Sequence, residues 1–354
     1  MTRRGWLLIL TIAMLLSGCA PSGTTVTETA TGPSLKTLDG GWVSVDELED
    51  FINDTMQQAG VTGLSCAIIN DSQIVYRQAF GVKDTNIAGR ADENTIFAAA
   101  SFSKPLFAYL VMLLTEEGII ELDRPLQDYL RKALPGYPGY TDLEGDNRYK
   151  QITARMALSH SIGFPNHRWL TTDGRLRFLF EPRSRFHYSG EGIQLLQMVI
   201  EEITAKGLED LAREKVFGPL GMGKSSYVWQ PAYEDNCAVP HDEFGRPKRL
   251  QRRTGADAAG SMVTTAGDYA QFVIALLNAT GQRKATIEEM LQPQIAISST
   301  SMFGPGSWED TDRDRRASLS WGLGWGRFDS DHGRAFFHTG HDFGWQNYTV
   351  TYPD

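Results

Sequence analysis

The sequence predicts an α+β fold: an antiparallel sheet from N- and C-terminal segments, flanking helices, and an inserted helical subdomain at about residues 101 to 260. Two observations carry this expectation. Aromatic and β-branched runs occur near the start of the ordered region, in "GLSCAIINDSQIVYRQAFG", and again at its end, in "LSWGLGWGRF", "RAFFHTG" and "WQNYTVTY". Between them, helical periodicity alternates with Pro/Gly-rich loops.

The elements follow in chain order. In "MTRRGWLLILTIAMLLSGCA", Arg3 and Arg4 precede an apolar run from Trp6 to Leu16, too short for a spanning helix and typical of a secretory signal. The ending "LLSGC" resembles the bacterial lipobox. It implies a signal peptide of residues 1–18, lipidation of Cys19 and an exported lipoprotein. Its place would be the periplasmic face of the outer membrane or the external face of the cell membrane. An ordinary signal with a chance cysteine is the plainer alternative.

Residues 19–41 are rich in Thr, Ser, Gly and Pro and read as a flexible tether, leaving 42–354 as the folded domain. In "SVDELEDFINDTMQQAG", Ser44 and Glu47 have the spacing of a capping box, and Leu48, Phe51, Ile52 and Met56 form an apolar stripe. The next two apolar runs flank "NDSQ", a hairpin signal. "IFAAASFSKPLFAYLVMLLTEEG" is a long apolar helix; "EGIQLLQMVIEEITAKG" and "GLEDLAREKVFGPLGM" are helices closed by glycine. The loop "LPGYPGYTDLEGDNRYK" is either a functional rim or an insertion. "TTAGDYAQFVIALLNATG" is a further capped helix, after which the strands, separated by "DSDHG" and "HDFG", read as a meander. Cys66 and Cys237 read as two separate buried thiols.

A net charge of -9, with no long Lys/Arg run, argues against a nucleic-acid partner. No G-x-S-x-G elbow and no H-E-x-x-H helix is present, and "HTGH" lacks the carboxylate that would make it a zinc site. The sequence therefore calls for no metal and no organic cofactor.

What remains is "SFSK". Ser101 and Lys104, at i and i+3, share one helix face, so the amine can reach the hydroxyl. A serine needs a base, and a lysine serves as one when burial or a neighbouring cation lowers its pKa. S-x-x-K alone is a weak signal, but it is accompanied in order by "LSHSIGFP", "FHYSGEG", "VFGPLGM", "AAGSMVTTAGDYAQF", "WGLGWG" and "HTG".

Together these motifs resemble the serine β-lactamase-like and penicillin-binding family, with its β-lactamase/transpeptidase-like fold. The branch is that of class C β-lactamases, D-alanyl-D-alanine carboxypeptidases, D-aminopeptidases and related esterases, and the resemblance runs from about Asp46 to the last residue. It implies Ser101 as acylated nucleophile and Lys104 as its proton acceptor. Tyr188 would be a partner base or proton shuttle, its phenol pKa lowered by the nearby cation. His338, Thr339 and Gly340 match the substrate-binding Lys-Thr-Gly triad, and the N–H groups of Ser101 and His341 would form the oxyanion hole.

There are two departures. Gly190, another substrate-binding position, stands where the family's Tyr-x-Asn loop has asparagine, which weakens the β-lactamase and D-peptidase assignments and favours an esterase or a hydrolase of unfamiliar substrate. The chain also ends at "TYPD", where family members continue through a further strand and a C-terminal helix, so the expectation is either a truncated product or a sheet edge completed otherwise, as by another chain. The implied protein is a lipid-anchored serine hydrolase acting through an acyl-enzyme on carboxyl esters, D-amino-acid peptides or amides, or β-lactams. The alternative is a catalytically inactive tethered protein that binds cell-wall peptides. His160 and His187 read as structural; Trp169 either lines a cleft or packs at its rim.

Overall fold

Residues 32–353, apart from Ala88, are described by the computed structural model; the signal segment and Cys19 lie outside them. Strand β1 (Ser34–Lys36) pairs antiparallel with β2 (Trp42–Ser44), setting Leu35 opposite Val43. The residues of β1 were expected in the tether. They are held because Leu35, only 5% exposed, packs with Met56, Tyr76 and Phe80, and because Asn70 Nδ2 donates to the Lys36 carbonyl at 3.2 Å. One well-placed leucine anchors a polar stretch that composition reads as coil.

Helix α1 (Val45–Ala59) begins with the expected capping box. Ser44 Oγ accepts from the Glu47 N–H, the Glu47 carboxylate accepts from the Ser44 N–H, and Gly60 closes the helix with φ 67°. Strands β3 (Gly63–Asn70) and β4 (Gln73–Asp84) form the hairpin; the turn residues Asp71 and Ser72 both have positive φ, matching the twist of the strands. A two-residue strand, β5 (Gly89–Arg90), extends it. Next, β6 (Phe97–Ala98) leads into a 3-10 turn, Ala100–Phe102, and then α2 (Ser103–Glu116), whose Leu106, Phe107, Leu110 and Leu114 have no exposure.

The inserted helical part contains α3 (Ala154–Leu158), α4 (Gly190–Thr204) and α5 (Leu208–Ala212), which runs into a π-helical turn at Arg213–Phe217. Strand β7 (Val263–Thr264) returns to pair with β6, followed by α6 (Ala266–Leu277) and α7 (Lys284–Leu291). The chain then forms β8 (Ile295–Ala296), β9 (Ser320–Trp321), β10 (Gly326–Ser330), β11 (Gly333–Asp342) and β12 (Trp345–Thr351). These make one antiparallel sheet in the order β12-β11-β10-β9-β8, the expected meander with β8 added.

The α+β class and antiparallel pairing agree with the sequence, but the single sheet divides. Among the described residues, the N-terminal strands form a separate three-stranded sheet, β3-β4-β5. Helix α6 covers both sheets: it packs on β3 and β4, and its Phe272 stacks on Trp325, immediately before β10. Cys66 and Cys237 are unpaired, as expected, but half-buried; partial burial still pushes the Cys66 thiol up to about 11.

Candidate active site

The serine is presented by a pinned turn and not by the body of the helix. Ala100 adopts φ 47°, the Ser103 hydroxyl donates to the Ala100 carbonyl at 2.6 Å, and that same hydroxyl accepts from the Met262 N–H at 3.0 Å. Ala99 N donates to the Met262 carbonyl at 2.9 Å, so the β6–β7 pairing continues to the residue before the turn. Pro105 sits in the first turn of α2, where its missing N–H costs no helical bond.

At the second residue of α2, Lys104 points back at the serine. Its side chain is 1% exposed; Nζ donates to Ser101 Oγ at 2.9 Å and to the Ala259 carbonyl at 2.6 Å. Among the described residues no carboxylate forms an ion pair with it. Asp257 opposes the effect of burial only from a distance, its own oxygens accepting from Ala259 N at 2.8 Å and Gln194 Nε2 at 3.0 Å. Desolvation wins and pushes the ammonium down to about 7.

Tyr188 lies just before α4, 2% exposed, with Lys104 Nζ 4.8 Å from its ring centroid. Its pKa is raised, contrary to the lowering expected from a nearby cation. Burial penalises the phenolate more than Ser101, the one neighbour that lowers it, can offset, and burial also brings Lys104 down to about 7, so its charge is only partly present near neutrality. The hydroxyl makes no hydrogen bond of ordinary geometry and is free to engage a bound group. His160, read as structural, orients this loop: its Nδ1 accepts from Ser189 N at 3.2 Å and its ring lies 4.3 Å from that of Tyr188. His187 packs on Trp308 with ring centroids 4.5 Å apart.

Strand β11 brings the triad alongside. His338 is wholly buried, and its Nδ1 donates to the Thr339 carbonyl at 2.7 Å, which leaves Nε2 as a bare acceptor. Burial, followed by the influence of Lys104, pushes its pKa down to about 3, so the imidazole is neutral. Thr339 pairs with Tyr348 on β12. Gly340 is required by proximity: a Cβ there would stand 2.6 Å from the Ala99 carbonyl oxygen. Asn347 secures the approach, its Nδ2 donating to the Ala98 and Ala99 carbonyls at 3.1 and 3.3 Å.

The two expected oxyanion donors are available. Among the described residues the Ser101 N–H has no partner in the protein. In a hairpin closed by Asp342–Trp345 around a two-residue turn, the N–H of His341 faces away from β12. Beyond Phe337 that opposite edge of β11 carries no strand, since β10 pairs only with Gly333 to Phe337.

Gly190 is not an open position. It begins α4, and a Cβ on it would lie 2.8 Å from His167 Cε1, so His167 occupies the space that a side chain at 190 would need. Sequence reasoning missed His167, and also Ala259 and Asn347. For His167 the signal was "NHRW", directly after the "LSHSIGFP" motif and next to Trp169. Gly218 to Ser225, "GPLGMGKS", has phosphate-loop spacing, but it follows the π-helical turn and leads into an extended bridge between Ser226 and Val263, not a strand–loop–helix.

The fold and the assembled Ser-Lys-Tyr cluster define a class of protein, and comparison with known proteins agrees. The chain belongs to the Beta-lactamase family, whose model matches residues 48–354. It is 27% identical over 270 residues to the human "Putative beta-lactamase-like 1", covering 72% of this chain and 52% of that one, so it spans about half of that relative's length. It is 24% identical to the esterase EstB of Burkholderia gladioli, covering 85% and 82% of the two chains. The octameric penicillin-binding protein homologue from Pyrococcus abyssi superposes with a TM-score of 0.71 at 23% identity, covering 88% of this chain and 71% of that chain.

Proposed function

We propose that the protein is a serine hydrolase that acts through an acyl-enzyme on Ser101 and that its substrates are neutral carboxyl esters. The observation that carries this reading is the 2.9 Å contact between Lys104 Nζ and Ser101 Oγ at a fully buried, unpaired amine. A neutral Lys104 takes the Ser101 proton as Oγ attacks the ester carbonyl, and the developing oxyanion is met by the N–H groups of Ser101 and His341. Preorganised donors of this kind are each worth about 3 to 4 kcal/mol. The Tyr188 hydroxyl, protonated because its pKa is raised, relays a proton to the departing alkoxide and is reprotonated from Lys104. Water then repeats the sequence on the acyl-enzyme, releasing the acid and restoring Ser101.

The substrate class follows from what the site lacks. His338 is uncharged where a lysine would offer a cation to a substrate carboxylate, and Gly190 supplies no side-chain amide to hold an acylamino group. Similarity to an esterase over 82% of that esterase's length supports the same reading. The test is intact-protein mass after incubation with a fluorophosphonate and, separately, a penicillin. One phosphonyl group on the peptide carrying Ser101, its fluoride displaced by Oγ, with little or no penicilloyl adduct, is the expected result. No fluorophosphonate adduct on folded protein would reject the hydrolase reading and put the inactive binding protein in its place; rapid penicilloylation would reject the restriction to esters.

A further inference from the structure

We infer that His167, stacked on Trp169, forms a flat wall of the acyl subsite and selects esters with a planar aromatic acyl group. This inference rests on the serine-hydrolase reading above.

The ring is held in place from both sides. Gly190 N donates to the Asn166 carbonyl at 2.9 Å and to Asn166 Oδ1 at 3.0 Å, and Glu191 N donates to the same carbonyl at 3.1 Å. On the other side of His167, Arg168 N donates to Glu191 Oε1 at 2.7 Å, and the Arg168 guanidinium makes a two-pronged ion pair with this buried carboxylate, closing to 2.6 Å. Residues 166 and 168 are thus bolted to the first two residues of α4, and the imidazole between them lies over Gly190, two residues from Tyr188. Such clamps cost no ring freedom at binding, which is what a selective subsite needs.

The ring presents a face and no fixed bond. Among the described residues its nitrogens make no hydrogen bond, and it lies nearly parallel to Trp169, with an interplanar angle of 15° and centroids 5.1 Å apart. Trp169 is 70% exposed, a large indole kept at the surface by this stack. Burial is the largest cause of a lowered His167 pKa, and the charge of Lys104 adds to it, whereas Glu191, Asp257 and Asp342 oppose it. The imidazole is therefore neutral near pH 7 and shares the neighbourhood of the Ser101 base. Across Tyr188, Phe303 meets that ring edge-on at 4.9 Å and is 43% exposed, which gives the opening a second aromatic side. Aromatic pairs in these geometries favour a planar group beyond its area alone.

The test compares kcat/KM for 4-nitrophenyl benzoate and 4-nitrophenyl acetate in the wild-type chain and in His167→Ala, His167→Phe and His167→Asn, with the rate of fluorophosphonate labelling measured for each. The benzoate-to-acetate ratio should fall about five- to tenfold in the alanine and asparagine variants, through KM for benzoate, and return in the phenylalanine variant. An unchanged ratio with labelling intact would overturn the inference while leaving the hydrolase reading in place. Recovery by asparagine and not by phenylalanine would overturn it too, assigning His167 a hydrogen-bonding role. A wild-type chain that is not labelled would remove the hydrolase reading itself, and this inference with it.

Discussion

Ser101→Ala lowers ester turnover by about 10⁴-fold or more, because nothing else in the site carries an activated oxygen and residues acting as one unit fail together. The same substitution should leave the fold intact. Ser101 is half-buried, its hydroxyl accepts from Lys104, and Lys104 keeps its bond to the Ala259 carbonyl. The expected stability change is within about 1 kcal/mol. Steady-state kinetics on an activated ester and urea unfolding of both chains check the two halves. Turnover unaffected by the substitution would place the chemistry elsewhere.

Lys104→Met should abolish turnover, by about 10³-fold or more, and yet stabilise the protein near and below neutral pH. The sign follows from linkage. Lys104 titrates at about 7 in the folded chain against 10.5 for the unfolded one, so between those values the unfolded state holds more protons and stability rises with pH. The cost of the buried amine is fully present below the folded value and fades as pH approaches 10.5. It is on the order of 5 kcal/mol. Methionine removes that cost but leaves the Ala259 carbonyl and the Ser101 hydroxyl without the donor, a loss of about 1 to 3 kcal/mol. The variant should therefore exceed the wild type by about 2 to 4 kcal/mol at pH 6 and lose this advantage by pH 10. Urea unfolding of both proteins at the two pH values measures the difference, in which titrating groups remote from Lys104 cancel. A variant less stable at pH 6 would mean that Lys104 is paired or hydrated.

Much of the fold was legible because its signals are local. The Ser44/Glu47 box, the Asp71-Ser72 turn and the aromatic strands around Gly333 and Gly344 each depend on residues within a few positions of one another. The split between the two sheets was not legible, since hydrophobic alternation marks a strand without naming its neighbour. Neither was β1, where a single leucine decides order. In the site, the spacing of Ser101 and Lys104 gave the contact but not the burial, and burial sets the proton affinities: it brings Lys104 down to about 7 and reverses the expected shift on Tyr188. Gly190 was visible as a missing side chain, whereas His167, which fills the gap, belongs to another loop and is brought there by the clamps onto Gly190 and Glu191.

The central claim, that a buried Lys104 titrating near neutrality activates Ser101, is tested most directly by the pH dependence of the second-order rate constant for fluorophosphonate inactivation of the wild-type chain. The rate should rise through a single midpoint near pH 7 and then level off, as the free amine becomes fully populated. A rate that keeps climbing to pH 10, the behaviour of a hydrated lysine, or one indifferent to pH, would contradict it.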